Sequence, residues 1–343
     1  MYEPPVFELP ATVTPSHLPL GQRLAESWRI HGAFQVRVDP VPAQRIVTAM
    51  TAGRRFFSMP AAYKARHVGD LSYSGYAAPG EVATGAEADR AEVFTVGPDV
   101  PYGDGRVRQG WPCHGPVPWP DLEYRLAMRA YMDQAGGLGD RVLRLVALGL
   151  GQPMDAFTRL TANGWHHLRV LRLPQGTPDD RRGVGAHTGH GLLTIVAQDG
   201  RPGGLCVRPP VPGEKRPRNW REGESTAGAF EHEEPWRPVP VRPAALPVLP
   251  GDLMQFLTGG LVTATPLKLV RADRERHALA YSHDPAFETS VGPIGSADET
   301  LHYGAHFTAI LMRRHPDGAA TRRIHRDGGL ELLGRLRAGA LPG

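Results

Sequence analysis

Two stretches decide the fold: Gly183–Asp199, GVGAHTGHGLLTIVAQD, and Leu249–Pro285, LPGDLMQFLTGGLVTATPLKLVRADRERHALAYSHDP. Each is a series of short apolar runs set between Gly, Pro, Asp and Thr, the punctuation of short strands rather than long helices. With their neighbours they predict strands at His166–Leu173, Leu192–Ala197, Leu205–Arg208, Ala245–Leu249, Leu253–Leu257 and His277–Tyr281. The N-terminal half has a different period. Leu20, Leu24 and Trp28 share a helical stripe, Ala33–Val38 reads as a strand, and Pro42 opens a second helix through Ile46, Met50 and Phe57 that Pro60 ends. Asp121–Leu150 is helical again, with Leu138, Val142, Leu145 and Val146 facing inward and a break into two helices expected near Gly136 and Gly137. Ser72–Pro120, rich in Gly and Pro, is expected to be a long ordered loop with little regular structure, and such loops are usually functional. Helices followed by many short strands predict a mainly β fold with flanking helices: a jelly-roll, cupin-like core behind an N-terminal α/β region. No linker interrupts the chain, so it reads as one domain over 1–343, with a helical support region and loops at 1–150, the core at 151–325 and a C-terminal tail at 326–343.

Composition excludes several classes. At 343 residues, 41% hydrophobic and 22% charged, the chain can bury a substantial core. The formal net charge is only +4, and the densest basic run, Lys215–Arg221, is interrupted by Pro217, so no nucleic-acid partner is expected. Two cysteines, Cys113 and Cys206, make neither a disulfide framework nor a Cys-x-x-Cys metal site. With no basic leader before an apolar run, and no apolar stretch of the ~18 residues a membrane helix needs, a soluble cytoplasmic protein without a membrane partner is expected.

Longer strings carry a family resemblance: DLSYSGY (70–76), GWPCHGPVPWP (110–120), GWHHLRVLR (164–172), VRPPVPGEKRPRNW (207–220), PGDLMQF (250–256) and HYGAHFTAILMR (302–313). From about Phe7 to about Ile324 the chain resembles the ethylene-forming enzymes, a branch of the 2-oxoglutarate- and Fe(II)-dependent oxygenases related to isopenicillin N synthase. The resemblance implies a double-stranded β-helix that holds iron on one face with two imidazoles and one carboxylate, leaving positions for 2-oxoglutarate and oxygen. It also implies a bound amino acid such as arginine as substrate. The family's iron positions fall on His187, Gly189 and Leu267, and only the first of these has a donor atom. The resemblance places the distal 2-oxoglutarate clamp on Arg276, a second cofactor-binding arginine on Arg169, and substrate contacts on Arg313, Glu81 and Thr84. Where an acidic side chain is expected next to Glu81, the chain has Val82. Strand alternation puts Arg276, Ala278 and Ala280 on one face of their strand, and His167, Arg169, Leu171 and Leu173 on one face of theirs.

Expected from this is a homologue that has lost the standard iron site: His187 is the one metal donor if any, no cofactor is certain, and Fe(II) is doubtful. The chain would then be a small-molecule binding protein for 2-oxoglutarate, another carboxylate or an amino-acid-like ligand, acting as a metal-independent, redox-neutral enzyme or as a pseudo-oxygenase. His187 and His190 are its acid or base candidates, because imidazole titrates near neutrality. Two alternatives stay open. One is an active ethylene-forming or arginine-hydroxylating oxygenase with a rebuilt site of His187, His190 and a further donor, with His166, His167, His283 and Asp252 on nearby strands. The other is a non-catalytic scaffold, through homo- or hetero-association with an active homologue. Asp252 is expected to bond backbone at the start of a strand instead.

Overall fold

The structure is a computed structural model that describes residues 2–200, 204–295 and 299–338. The N-terminal half contains β1 (Val6–Phe7), α1 (Leu18–His31), β2 (Phe34–Arg37), α2 (Pro40–Phe57), α3 (Ala61–Lys64), β3 (Gly75–Ala77), β4 (Ala83–Thr84), β5 (Glu87–Ala88), β6 (Glu92–Val96), α4 (Gly105–Arg108) and α5 (Leu122–Gly149). Then come β7 (His167–Leu173), β8 (Arg182–His187), β9 (Leu193–Gln198), β10 (Leu205–Val207), β11 (Arg237–Pro238), β12 (Ala245–Pro250), α6 (Asp252–Leu257), β13 (Leu267–Val270) and β14 (Arg276–His283). The chain closes with β15 (Ser290–Val291), β16 (Leu301–His302), α7 (Tyr303–Arg314), α8 (Ala319–Arg326) and α9 (Gly329–Arg337).

An eight-stranded sheet in the order β1-β2-β12-β9-β14-β7-β6-β3 and a four-stranded sheet in the order β11-β10-β13-β8 form the jelly roll. Alternating side chains fill the space between them: Val93, Leu171, Leu173, Val196, Leu249 and Ala278 from the large sheet meet Val184, Leu205, Val207, Leu267 and Leu269 from the small one. The other face of the large sheet is covered by α1, α2 and α5, whose Trp28, Phe56, Tyr124, Met128, Tyr131 and Val142 join a larger apolar core.

Three expectations need correction. The helix over Asp121–Leu150 is unbroken, because Gly136 and Gly139 lie against Tyr281 and His283 of β14, where a Cβ would stand 3.2 Å from the Tyr281 hydroxyl and 2.8 Å from the His283 ring. Packing thus outweighs the ~1 kcal/mol propensity cost of each glycine. Leu253–Leu257 is helical rather than a strand: all of Asp252–Leu257 is buried, and a short run buried on every side has no period that separates the two conformations. The long segment 72–120 contains four strands, and β6 (EVFTV) pairs with β7 to extend the large sheet. Within the expected tail at 326–343, the described residues include α9, which buries Leu332, Leu333 and Leu336, and 339–343 lie outside the described residues.

The crossing of α1 and α5 gives a first test. A Cβ on Gly21 would lie 2.2 Å from the Leu145 carbonyl oxygen, and one on Gly149 would lie 2.2 Å from that of Gly21. Backbone cannot swing aside as a side chain can, so Gly21→Val should force the helices apart. The expected cost is about 3 kcal/mol, read as a fall in Tm of roughly 5 °C by calorimetry.

Candidate metal centre and its cavities

His167 starts β7, His190 lies in the turn between β8 and β9, and Asp284 follows β14. The register joins Ser282 of β14 to both His167 and Thr194, so three adjacent strands deliver these side chains to one end of the large sheet. All three are buried, and one ligand atom from each lies within 4.8 Å of the others. The His167 and His190 rings stack at 4.7 Å, with the Phe307 ring set edgewise against both. His167 Nδ1 is 2.9 Å from Asp284 Oδ2. Even so, His167 Nδ1, His190 Nε2 and both Asp284 oxygens lack a well-directed hydrogen bond. Buried polar atoms without partners are rare and call for an explanation. Burial first, and then the neighbouring His167, His306 and Arg314, hold the His190 imidazole well below its ordinary pKa, which keeps a nitrogen lone pair available at neutral pH.

Two flanking contacts set the carboxylate. The Asp284 backbone N–H donates to His166 Nδ1 at 3.0 Å, and the His166 ring stacks at 4.3 Å on His283, whose Nε2 is 3.1 Å from Asp140 Oδ1. Gly191 lies so close beneath the carboxylate that an added Cβ would fall 1.6 Å from Asp284 Oδ1.

Three cavities share Arg314, and two of them are lined by His167 and His190 of the cluster. The barrel cavity is lined by His167, Arg169, Leu171, Val184, His187, Gly189, His190, Thr194, Leu267, Leu269, Ala280 and Ser282. A second lies among His187, Thr188, Asn219, Thr226, Ile310 and Arg313. A third lies among Tyr73, Cys113, Trp165, His167, Arg169, His190, Phe307, Leu311 and His315. Burial, with Arg314 nearby, lowers the Arg169 guanidinium to about 9, still a cation at neutral pH.

The residues expected from the sequence divide among these features. His187 stands opposite Leu267 across β8 and β13, and Gly189 lines the same cavity, so the three family positions do converge. A Cβ at Gly189 would meet Thr194 Oγ1 at 2.5 Å, so no side chain fits there without displacing Thr194. Arg276 is buried at the far end of β14, opposite Leu173, four ladder positions from the Ala280–Arg169 pair, or ~13 Å at 3.3 Å per residue. Arg313 is exposed at the edge of the second cavity. Glu81 is exposed and accepts the Ala78 N–H at 2.7 Å, outside the three cavities. Thr84 is buried, donates to Asp89 Oδ2 at 2.8 Å and lies 3.4 Å from Arg314 Nη2. Sequence reasoning missed Arg314, one position from Arg313, and Asp284, although His-Asp-Pro directly after the β14 run was a signal for the latter. The donors weighed on nearby strands are His166, His167, His283 and Asp252; Asp284, one residue past His283, is not among them.

Asp252 also differs from its expected role: it opens a helix, and its carboxylate accepts from Thr188 Oγ1 at 2.6 Å and Asn219 Nδ2 at 2.8 Å. Burial raises its pKa from 3.8 to about 6, against those two hydrogen bonds. A raised carboxyl pKa means that folding favours the protonated form, so its stability contribution is present at low pH and is lost as pH rises from ~4 through ~6. Relative to Asp252→Asn, the wild type should lose about 3 kcal/mol across that window, measured by denaturant melts at pH 4 and pH 7.

Residues 5–122 match the N-terminal family described as "non-haem dioxygenase in morphine synthesis". A "2-oxoglutarate-dependent ethylene/succinate-forming enzyme" from Ralstonia nicotianae is 48% identical over 336 residues, covering 96% of this chain and 97% of the relative. The chain belongs to the 2-oxoglutarate/Fe(II)-dependent oxygenase family. Among solved structures, a full-length Neurospora crassa protein in complex with α-KG and thymine superposes with TM-score 0.71 at 19% identity, covering 90% of this chain and 96% of that one. A 2OG-Fe(II) oxygenase family protein from Caulobacter crescentus gives 0.70 at 20% identity, with coverage of 90% and 98%. Both likenesses bear on the fold. For this oxygenase-family chain, the expectation of a lost iron site, with His187 as the one donor and iron in doubt, is overturned by the His167–His190–Asp284 cluster and the near-full-length similarity to an enzyme of that activity. Donor atoms missing at the family positions are matched by a buried His-His-Asp group at adjacent strand ends that could hold a metal ion. Among the described residues no helix is long and apolar enough to cross a membrane.

Proposed function

We propose that the chain is an active 2-oxoglutarate-dependent oxygenase whose Fe(II) is held by His167, His190 and Asp284. The four buried atoms of these residues that lack a well-directed hydrogen bond carry the reading. They are two imidazoles and one carboxylate, the donor set of non-haem iron oxygenases. Bonds of ~2.1 Å to a first-row divalent ion place donor atoms ~3 Å apart, so donors that lie within 4.8 Å of one another would close up on binding, the two imidazoles turning out of their parallel stack. The bound iron would supply oxygen activation and oxidative decarboxylation of the keto acid.

The chain's own groups do the rest. The barrel cavity opens beside the cluster, and Leu171, Val184, Leu267 and Leu269 offer apolar walls to the keto acid's methylenes. Arg169 is placed to meet its carboxylate near the cluster. Arg276, on the same pleat face as the cavity-lining Ala280 and Ser282, is placed to meet the distal one. Phe307 caps both imidazoles and keeps water from the donors. Anaerobic titration should show one Fe(II) per chain, and added 2-oxoglutarate and oxygen should yield succinate, with headspace chromatography testing for ethylene. Protein that keeps no iron and releases no succinate would refute the reading.

A further inference from the structure

The cavity between Tyr73, Trp165, Phe307 and Leu311 has these apolar walls, with hydroxyls of Ser72, Ser74 and Thr95 and the charged Arg169 and Arg314 also lining it, and His167 and His190 form part of its wall. We propose that this cavity takes the substrate to be oxidised, and that the substrate is a carboxylic acid with an aromatic or branched apolar body, its carboxylate held by Arg314, beside the Arg169 that meets the keto acid. The assignment of a reaction to this ligand rests on the oxygenase reading, whereas its binding does not.

Charge decides the class. Among the described residues, no Asp or Glu lines any of the three cavities around the cluster. Arg169, partly buried, makes no hydrogen bond or ion pair with a described residue and lines this cavity. Arg314 has one carboxylate neighbour, Asp89, at 3.5 Å, and its Nε has no partner. That carboxylate is also shared: Thr84 and the Gly185 N–H bond to it, and Arg182 lies 3.6 Å away. Asp89 is therefore divided between Arg314 and Arg182, and an entering anion completes the partners of Arg314. A guanidinium substrate would instead face fixed positive charge with no acidic side chain to receive it. The aromatic walls supply apolar burial for the ligand's body. Because the two imidazoles are shared with this cavity, a ligand seated in it presents its C–H bonds beside the proposed metal donors.

The test uses full-length, metal-free protein and three probes in isothermal titration calorimetry: 3-phenylpropanoate, its neutral amide and L-arginine. The acid should bind at least about tenfold more tightly than the amide, and L-arginine should not compete. Arg314→Gln should erase the preference for acid over amide, with circular dichroism confirming the fold. Leu311→Trp, which narrows this cavity and not the barrel cavity, should weaken the acid at least about tenfold while leaving 2-oxoglutarate binding unchanged. Equal affinity for acid and amide, no binding of the acid, or tighter binding of L-arginine would each overturn the proposal. Acid binding in a protein that takes up no iron would sink the oxygenase reading alone. Iron-dependent succinate release without a preference for the acid would sink this inference alone.

Discussion

Asp284→Ala and His190→Ala are each expected to lower Fe(II) affinity at least about 100-fold and to abolish succinate release, whereas His187→Ala keeps one iron per chain. The contrast follows from placement. Asp284 and His190 present atoms without a well-directed hydrogen bond to the cluster, while His187 turns its Nδ1 to the Gly185 carbonyl at 2.8 Å and faces the aliphatic Leu267 across the strand pair. Removing either cluster donor leaves two groups, too few for a metal exposed to competing water. An iron titration followed by absorbance of a ferrous chelator reads all three variants. Loss of iron in His187→Ala with retention in Asp284→Ala would reverse the assignment.

Gly191→Ala is expected to reproduce much of the Asp284 effect without touching a donor. The new Cβ would stand 1.6 Å from Asp284 Oδ1 and 2.8 Å from its Cγ, so the carboxylate must turn away from the imidazoles. Iron affinity should fall about 10- to 100-fold, the range seen when groups that orient metal ligands are lost. The fold should survive at a cost of about 1–3 kcal/mol, because the displaced atoms belong to a side chain. Gly189→Ala is the matched control: its Cβ meets Thr194 Oγ1 and no cluster residue, and iron binding should persist. Equal effects of the two alanines on affinity would show that Asp284 does not hold the ion.

The jelly roll was legible because strands such as β7, β9 and β14 bury one face continuously and are bounded by turn residues; their limits differ from the sequence reading by a residue or two. What escaped was decided by partners distant in sequence. Gly136 does not break α5 because β14 lies against it, and Leu253–Leu257 coils because burial on every side leaves no alternation to read. The candidate site divides the same way. His187, Gly189 and Leu267 are brought to one cavity, as the family resemblance implied. His167 and His190 were visible as residues, yet no spacing pairs either of them with Asp284. That meeting is made by the register of β14 with β7 and β9, which no local pattern encodes.

Iron-edge anomalous diffraction from crystals grown anaerobically with Fe(II) locates the ion itself. The expected result is a single peak ~2.1 Å from one donor atom each of His167, His190 and Asp284. A peak on His187 away from those three side chains, or no peak at saturating iron, would contradict it.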